Sequence, residues 1–169
     1  MFRMLIVGMI MFITGCAGLQ PVREANTTFG EVYKVGASKE QIFNVTKIWI
    51  AETFRSAKAV IEYEDKVEGT IIGNGMIPYP CTGLACMSKA SWKVPFTMRV
   101  DIKDQKFKLT FSNIRLSWGA SYNSVVGVQS AHDGPVSLQG DMDAIKPKLL
   151  ALGSEIVNAI QKNSKTKDW

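Results

Sequence analysis

The chain has 169 residues, 46% of them hydrophobic, which is enough to bury one core without extra staples. Twenty Lys and Arg against fifteen Asp and Glu give a net charge of +5. The cations are mixed with the anions and never form a run of five, which argues against nucleic acid as a partner, because such binders concentrate Lys and Arg in one stripe.

Met1-Phe2-Arg3 is a short cationic start, residues 4–13 are apolar apart from Gly8, and Ile13-Thr14-Gly15-Cys16 closes the run with small residues before a cysteine. Secretory signals have this build because the peptidase accepts only small side chains at the cut. A spanning helix would need about 20 apolar residues, twice what is present. With its cysteine, the segment resembles the bacterial lipoprotein signal. That resemblance implies a diacylglyceryl group on the Cys16 thiol, cleavage between Gly15 and Cys16, and an acylated new amine. Two or three acyl chains hold a protein stably, since each buried methylene adds about 0.8 kcal/mol. Ala17 in place of Asp implies, by likeness to sorting in Gram-negative bacteria, the periplasmic face of the outer membrane. Residues 1–15 are therefore expected to be a signal peptide, 16–27 a tether, 28–162 one domain and 163–169 a frayed tail. Losing residues 1–15 removes one cation, Arg3, and takes the net charge from +5 to +4.

Residues 17–26 show no periodicity. Residues 29–35 read as a strand ended by Gly36, and Ser38 with Gln41 has the spacing of a capping box. A helix is predicted over 39–57, with Ile42, Val45, Trp49, Ile50, Thr53 and Ala57 on the face turned to a sheet. Residues 59–64 and 69–77 form a hairpin joined by 65–68. Gly73-Asn74-Gly75 is no phosphate loop, since a Pro-rich turn follows instead of a helix; it reads as a bulge or a close backbone approach.

Committing Cys16 to lipid leaves Cys81 and Cys86, an even pair whose turn-rich surroundings predict a disulfide in an oxidising compartment. A zinc site would need two further ligands, so neither metal nor cofactor is expected. Val94, Phe96, Met98, Val100 and Ile102 then alternate strictly with polar residues or Pro, and after a turn at Asp104-Gln105 the alternation resumes at Phe107, Leu109 and Phe111. This is an antiparallel hairpin with one buried and one wet face. Ile114 and Leu116 are one step out of phase, which a bulge near Ser112-Asn113 would produce. Residues 117–140, rich in Gly, Ser and Asn, read as a long loop. A last amphipathic helix over 141–161 carries Ile145, Leu149, Leu152, Ile156 and Ile160 on one stripe, with Pro147 kinking it or marking its true first turn.

The order of elements predicts an α+β fold, an antiparallel sheet of about five strands with an N-terminal-half helix and a C-terminal helix on one face. Residues 35–39, 48–54, 61–65, 69–75 and 100–104 (VGASK, IWIAETF, IEYED, GTIIGNG and VDIKD) together resemble the DUF4468 family, described as TBP-like in fold. That family has no assigned activity, so the resemblance implies a fold and carries over no catalytic residue. The insertion at 79–92 and the 117–140 segment depart from it.

No constellation of catalytic residues stands out. His132 reads as a solvated turn histidine, and Glu62 and Glu64, sharing a strand face at period two, as its wet side rather than a pair across a cleft. The first functional expectation is a non-enzymatic cell-envelope module, held to the membrane by its lipid and binding a protein, peptide or lipid on the open sheet face. Thr97, Arg99, Lys103, Lys106, Lys108 and Thr110 would point outward there, although a plainly solvated face explains them equally well. The alternative is an envelope hydrolase or transferase with 117–140 as a lid.

Overall fold

The computed structural model describes residues 19–23, 27–54, 60–123 and 127–165. Gly15, Cys16 and the residues after 165 lie outside them, as does the predicted helix end at Ala57. Strand β1 (Phe29–Lys34) leads to helix α1 (Lys39–Thr53), followed by β2 (Val60–Asp65) and β3 (Thr70–Pro78). A 3-10 turn at Gly83–Ala85 and the short helix α2 (Cys86–Lys89) precede β4 (Lys93–Lys103), β5 (Lys106–Ser112), β6 (Arg115–Trp118), β7 (Ser121–Asn123), β8 (Gly127–Gln129) and β9 (His132–Pro135). Helix α3 (Gln139–Lys165) ends the described chain.

The central sheet is antiparallel in the order β1-β5-β4-β3-β2. Alternation along β4 and β5 sends Val94, Phe96, Met98, Val100, Ile102, Phe107, Leu109 and Phe111 to one face, all at most 3% exposed. Helices α1 and α3 cover that face, giving the predicted two-layer α+β architecture. On α1 the capping box is formed as the spacing predicts, with the Ser38 hydroxyl accepting from the Gln41 amide at 3.3 Å. The buried face includes Phe43 and Thr46, while Thr53, expected on it, is exposed because α1 stops there and Phe54 supplies the C-cap and the last buried ring.

Helix α3 starts two residues earlier and runs four residues further than its apolar stripe suggests, and all five predicted stripe residues are buried. Pro147 is its ninth residue, so it does not mark the first turn. Gly153 lies against the Tyr33 ring, which stacks on Phe107 at 5.1 Å and donates its hydroxyl to the Leu150 carbonyl at 2.7 Å. A Cβ at 153 would overlap that held ring. Gly153→Ala, which in an open helix would gain about 1 kcal/mol, is therefore expected to lose about 1–2 kcal/mol net through overpacking, read as a lower midpoint in a thermal melt.

Three sequence expectations are corrected. Glu62 and Glu64 do not share a face, because the β2–β3 register shifts between Ile61 and Tyr63. Glu62 bonds Asn74 on the open face, whereas Glu64 turns to Lys47 of α1 at 2.7 Å. Second, the 117–140 segment is no structureless loop. Pairs Arg115↔Pro135 to Trp118↔His132 and Ser121↔Gln129 to Asn123↔Gly127 keep one register, so β6-β7 and β8-β9 are the two sides of a single long ribbon. With little of it buried on either side, its sequence has no alternation to read. Third, His132 belongs to β9 rather than a turn, and although exposed its ring stacks on Trp118 at 4.3 Å.

The predicted phase shift is present. Between the pairs Thr97↔Ser112 and Lys93↔Ser117, four steps along β4 match five on its partner, and Asn113 takes φ 49° at the extra residue. The ribbon thereby continues the line of β5 and runs past the start of β4. Gly75 is a close approach, since a Cβ there would lie 2.6 Å from the Phe96 ring. In the segment read as a tether, Val22 donates to the Ser137 carbonyl at 2.9 Å and the Gln20 carbonyl accepts from Gln139 at 2.7 Å, which seats residues 20–22 beside the start of α3.

Candidate functional site

Two clusters of polar chemistry stand out, one at each end of the sheet. The first is on the face no helix covers, and it gathers all six residues singled out from the sequence. Successive rungs across the strands read Lys34, Lys106, Lys103; then Val32, Lys108, Asp101, Thr70; then Gly30, Thr110, Arg99, Ile72, Tyr63; then Ser112, Thr97, Asn74. Thr97 and Thr110 are half-buried, and Arg99 and the lysines are exposed. Thr97 donates to the Asn74 side chain at 2.8 Å.

Arg99 and the lysines differ in state. Arg99 holds Asp101 through Nη2 at 2.8 Å and Nε at 2.9 Å, and those bonds, with the carboxylate's charge, raise its pKa further. Its charge is thus matched within the chain. Lys34, Lys103, Lys106 and Lys108 make no ion pair among the described residues. Directly opposed strand residues sit with Cα atoms about 4.5–5.5 Å apart, and like charges so placed are destabilising. Three lysines on one rung therefore form a self-repelling patch that an anion would relieve. Beside them is a shallow hollow lined by Val32, Asp101, Lys103, Lys106, Phe107 and Lys108, with Val32 54% exposed. Sequence reading missed Lys34, because nothing local says that β1 pairs with β5.

The second cluster, at the opposite end, was not foreseen. Cys81 and Cys86 are bridged, with Cα atoms 5.2 Å apart, and the closed turn leads straight into α2. At its end, Lys89 reaches Asp141 in the first turn of α3 at 2.6 Å, and the buried Tyr79 hydroxyl donates to the same Asp141 oxygen at 2.6 Å. The Lys89 ammonium also stands 4.6 Å from the Tyr79 ring centre and 4.8 Å from that of Trp92. Trp92 stacks on Trp118 at 3.9 Å, and Trp118 on His132, which fastens the ribbon to the sheet.

Burial and the bond to Asp141 push the Tyr79 pKa up. Burial by itself would lower that of Lys89, but the hydrogen bonds to Asp141 and Tyr79 outweigh it and the net shift is upward. Tyr79, Lys89 and Asp141 hold one another, while the buried Trp92 indole N–H has no hydrogen-bond partner among the described residues and its ring is held by stacking, so the arrangement serves as a structural clamp. The one local sign in the sequence is that residues 69–88 carry no charge, which makes Lys89 conspicuous.

No curated protein matches the chain. Among solved structures it is similar to a TBP-like protein from Parabacteroides distasonis, at TM-score 0.60 and 13% identity over 83% of this chain and 96% of that one. It is also similar to a DUF4468 family protein from Bacteroides ovatus, at TM-score 0.52 and 15% identity over 84% of this chain and 88% of that one. At such identities the likeness shows the fold alone. The model of a domain of unknown function with TBP-like fold matches residues 30–117, just over half of the sequence, and the chain belongs to that family, DUF4468.

Proposed function

We propose that the protein is a non-enzymatic envelope lipoprotein whose open sheet face binds an acidic protein segment. The reading is carried by the rung Lys34, Lys106 and Lys103, with Lys108 behind it, unmatched by internal anions and set around a hollow that includes Val32. Acidic side chains would relieve the crowded ammoniums while an apolar neighbour filled the hollow. Support for the setting comes from the Gly15-Cys16 junction and from the Cys81–Cys86 bridge, a bond characteristic of oxidising compartments.

A protein is preferred to the chain's own membrane as the occupant because of placement. Ser137, which holds Val22, follows the Val136–Ile114 bond and so lies about level with Thr97, about 20 Å from Lys103 at 3.3 Å per strand residue, and the lysines are on the side of that level away from the ribbon. The segment assigned to a lid in the alternative reading is a paired ribbon rather than a loop.

Cross-linking in intact cells followed by mass spectrometry tests the reading. Lys103→Glu with Lys106→Glu and Lys108→Glu should fold normally, since all three side chains are exposed, and should abolish one stoichiometric cross-linked partner seen with the parent protein. An unchanged cross-link pattern would overturn the face assignment. Incorporation of labelled palmitate into the parent but not into Cys16→Ala tests the anchor separately.

A further inference from the structure

We infer that the ribbon end of the molecule is a second membrane contact, in which Tyr122 and Val128, with Leu84 and Met87 beside the disulfide, enter the headgroup region of a bilayer. This rests on the anchor reading above, because the anchor determines which end of the molecule faces lipid. Leu19 is three residues beyond Cys16, so even a fully extended chain puts it within about 11 Å of the acylated residue. The residues that follow are not free to swing. Gln20 and Val22 are bonded to Gln139 and Ser137, and Pro21 bridges to Leu138, so the short tether brings the start of α3 to the membrane surface.

What lies at that end suits lipid. The start of α3 is joined through Asp141 to Tyr79 and Lys89, which places α2 and the disulfide beside it, and the Trp92–Trp118 stack holds the ribbon there. The ribbon runs on past the start of β4, which makes it the projecting part of this end. Tyr122 and Val128 are directly opposed across β7 and β8, so they share a face, at 78% and 83% exposure. Leu84 and Met87 are also exposed, and Met87 and Tyr122 line one surface hollow.

Charge agrees with this placement. Residues 116–131 include no Asp, Glu, Lys or Arg, and neither do residues 69–88, so these surfaces enter the interface without burying an ion. A tyrosine paired with aliphatic side chains on a neutral surface is the composition found at the headgroup level of membranes.

The test uses the acylated protein in vesicles of phosphatidylethanolamine and phosphatidylglycerol, with a nitroxide on Val128→Cys or on Val67→Cys. Val67 is 84% exposed in the β2–β3 turn, at the other end of the sheet, and serves as the water-facing reference. A label at 128 should be severalfold less accessible to a water-soluble nickel relaxant than one at 67, and more accessible to oxygen. Equal aqueous access at both positions in protein that floats with the vesicles would overturn the inference while leaving the anchor intact. Absence of acylation would overturn both. Protection of position 128 without vesicles, in unacylated Cys16→Ser, would mean that a second copy of the chain covers the patch, and would also overturn it.

Discussion

Asp141→Ala is expected to destabilise the fold by about 3 kcal/mol, the lower end of what removal of one partner costs a buried ion pair. Asp141 is 7% exposed, and its Oδ1 accepts from both Tyr79 and Lys89. Alanine would leave a buried phenol and a largely enclosed ammonium without their acceptor. It would also remove an anion from the first turn of α3, where the helix dipole favours one. The estimate stays at the lower end because Lys89 keeps 27% of its side chain in contact with water and retains the faces of two aromatic rings. Asp141→Asn, which can still accept from Tyr79, should lose about half as much. Urea melts of the three proteins would show it as successive shifts in midpoint at constant slope.

The same clamp dictates how stability responds to alkali. Tyr79 and Lys89 both have folded pKa values above their ordinary 10.0 and 10.5, and Tyr33 is pushed up to about 12 by burial and then by the charge of Glu31. A proton held more tightly in the folded state gives stability that is complete below the ordinary value and is lost as pH rises through the folded one. The melting temperature should therefore hold level from neutral pH to about pH 9 and fall above pH 10. In Asp141→Ala that fall should be shallower, with the contributions of Tyr33 and of the burial of Tyr79 remaining. A slope equal to that of the parent would show that Tyr79 and Lys89 are not coupled to Asp141.

This clamp was illegible in the sequence for a physical reason. Tyr79 and Lys89 precede Asp141 by 62 and 52 residues and belong to the insertion at 79–92, where the family resemblance implies nothing. Local pattern reports which face of an element is dry, and so it revealed β4, β5, the α1 capping box and the α3 stripe. It does not report which elements meet. Lys34 shows the same limit, since its strand is readable but its alignment with Lys106 and Lys103 depends on β1 joining the sheet beside β5. A bulge defeats pattern in another way, as at Glu62 and Glu64, where one shift of register reverses the face of every residue beyond it. The ribbon was missed because strand periodicity is written by burial, and Tyr122 and Val128 are almost fully exposed.

Where burial does write the pattern, the effect of disturbing it should be largest. Phe111→Ala is expected to lose about 3–5 kcal/mol. Phe111 has no exposed surface and lies under the joint of three strands, opposite Phe29 on β1 and Met98 on β4. Its ring is 5.8 Å from that of Phe29 and 5.5 Å, edge to face, from that of Phe96. Phe96 is in turn pressed against Gly75, so it has little room to swing into the space that alanine would leave. A site that cannot collapse keeps its cavity, and the cost rises with the volume left empty. Phe111→Leu, which preserves most of the volume, should lose no more than about 1.5 kcal/mol. For a domain of this size about 4 kcal/mol corresponds to a drop of roughly 10 °C in melting temperature. Should the alanine variant melt within about 2 °C of the parent, the packing of these three rings would not be what joins β1 to the centre of the sheet.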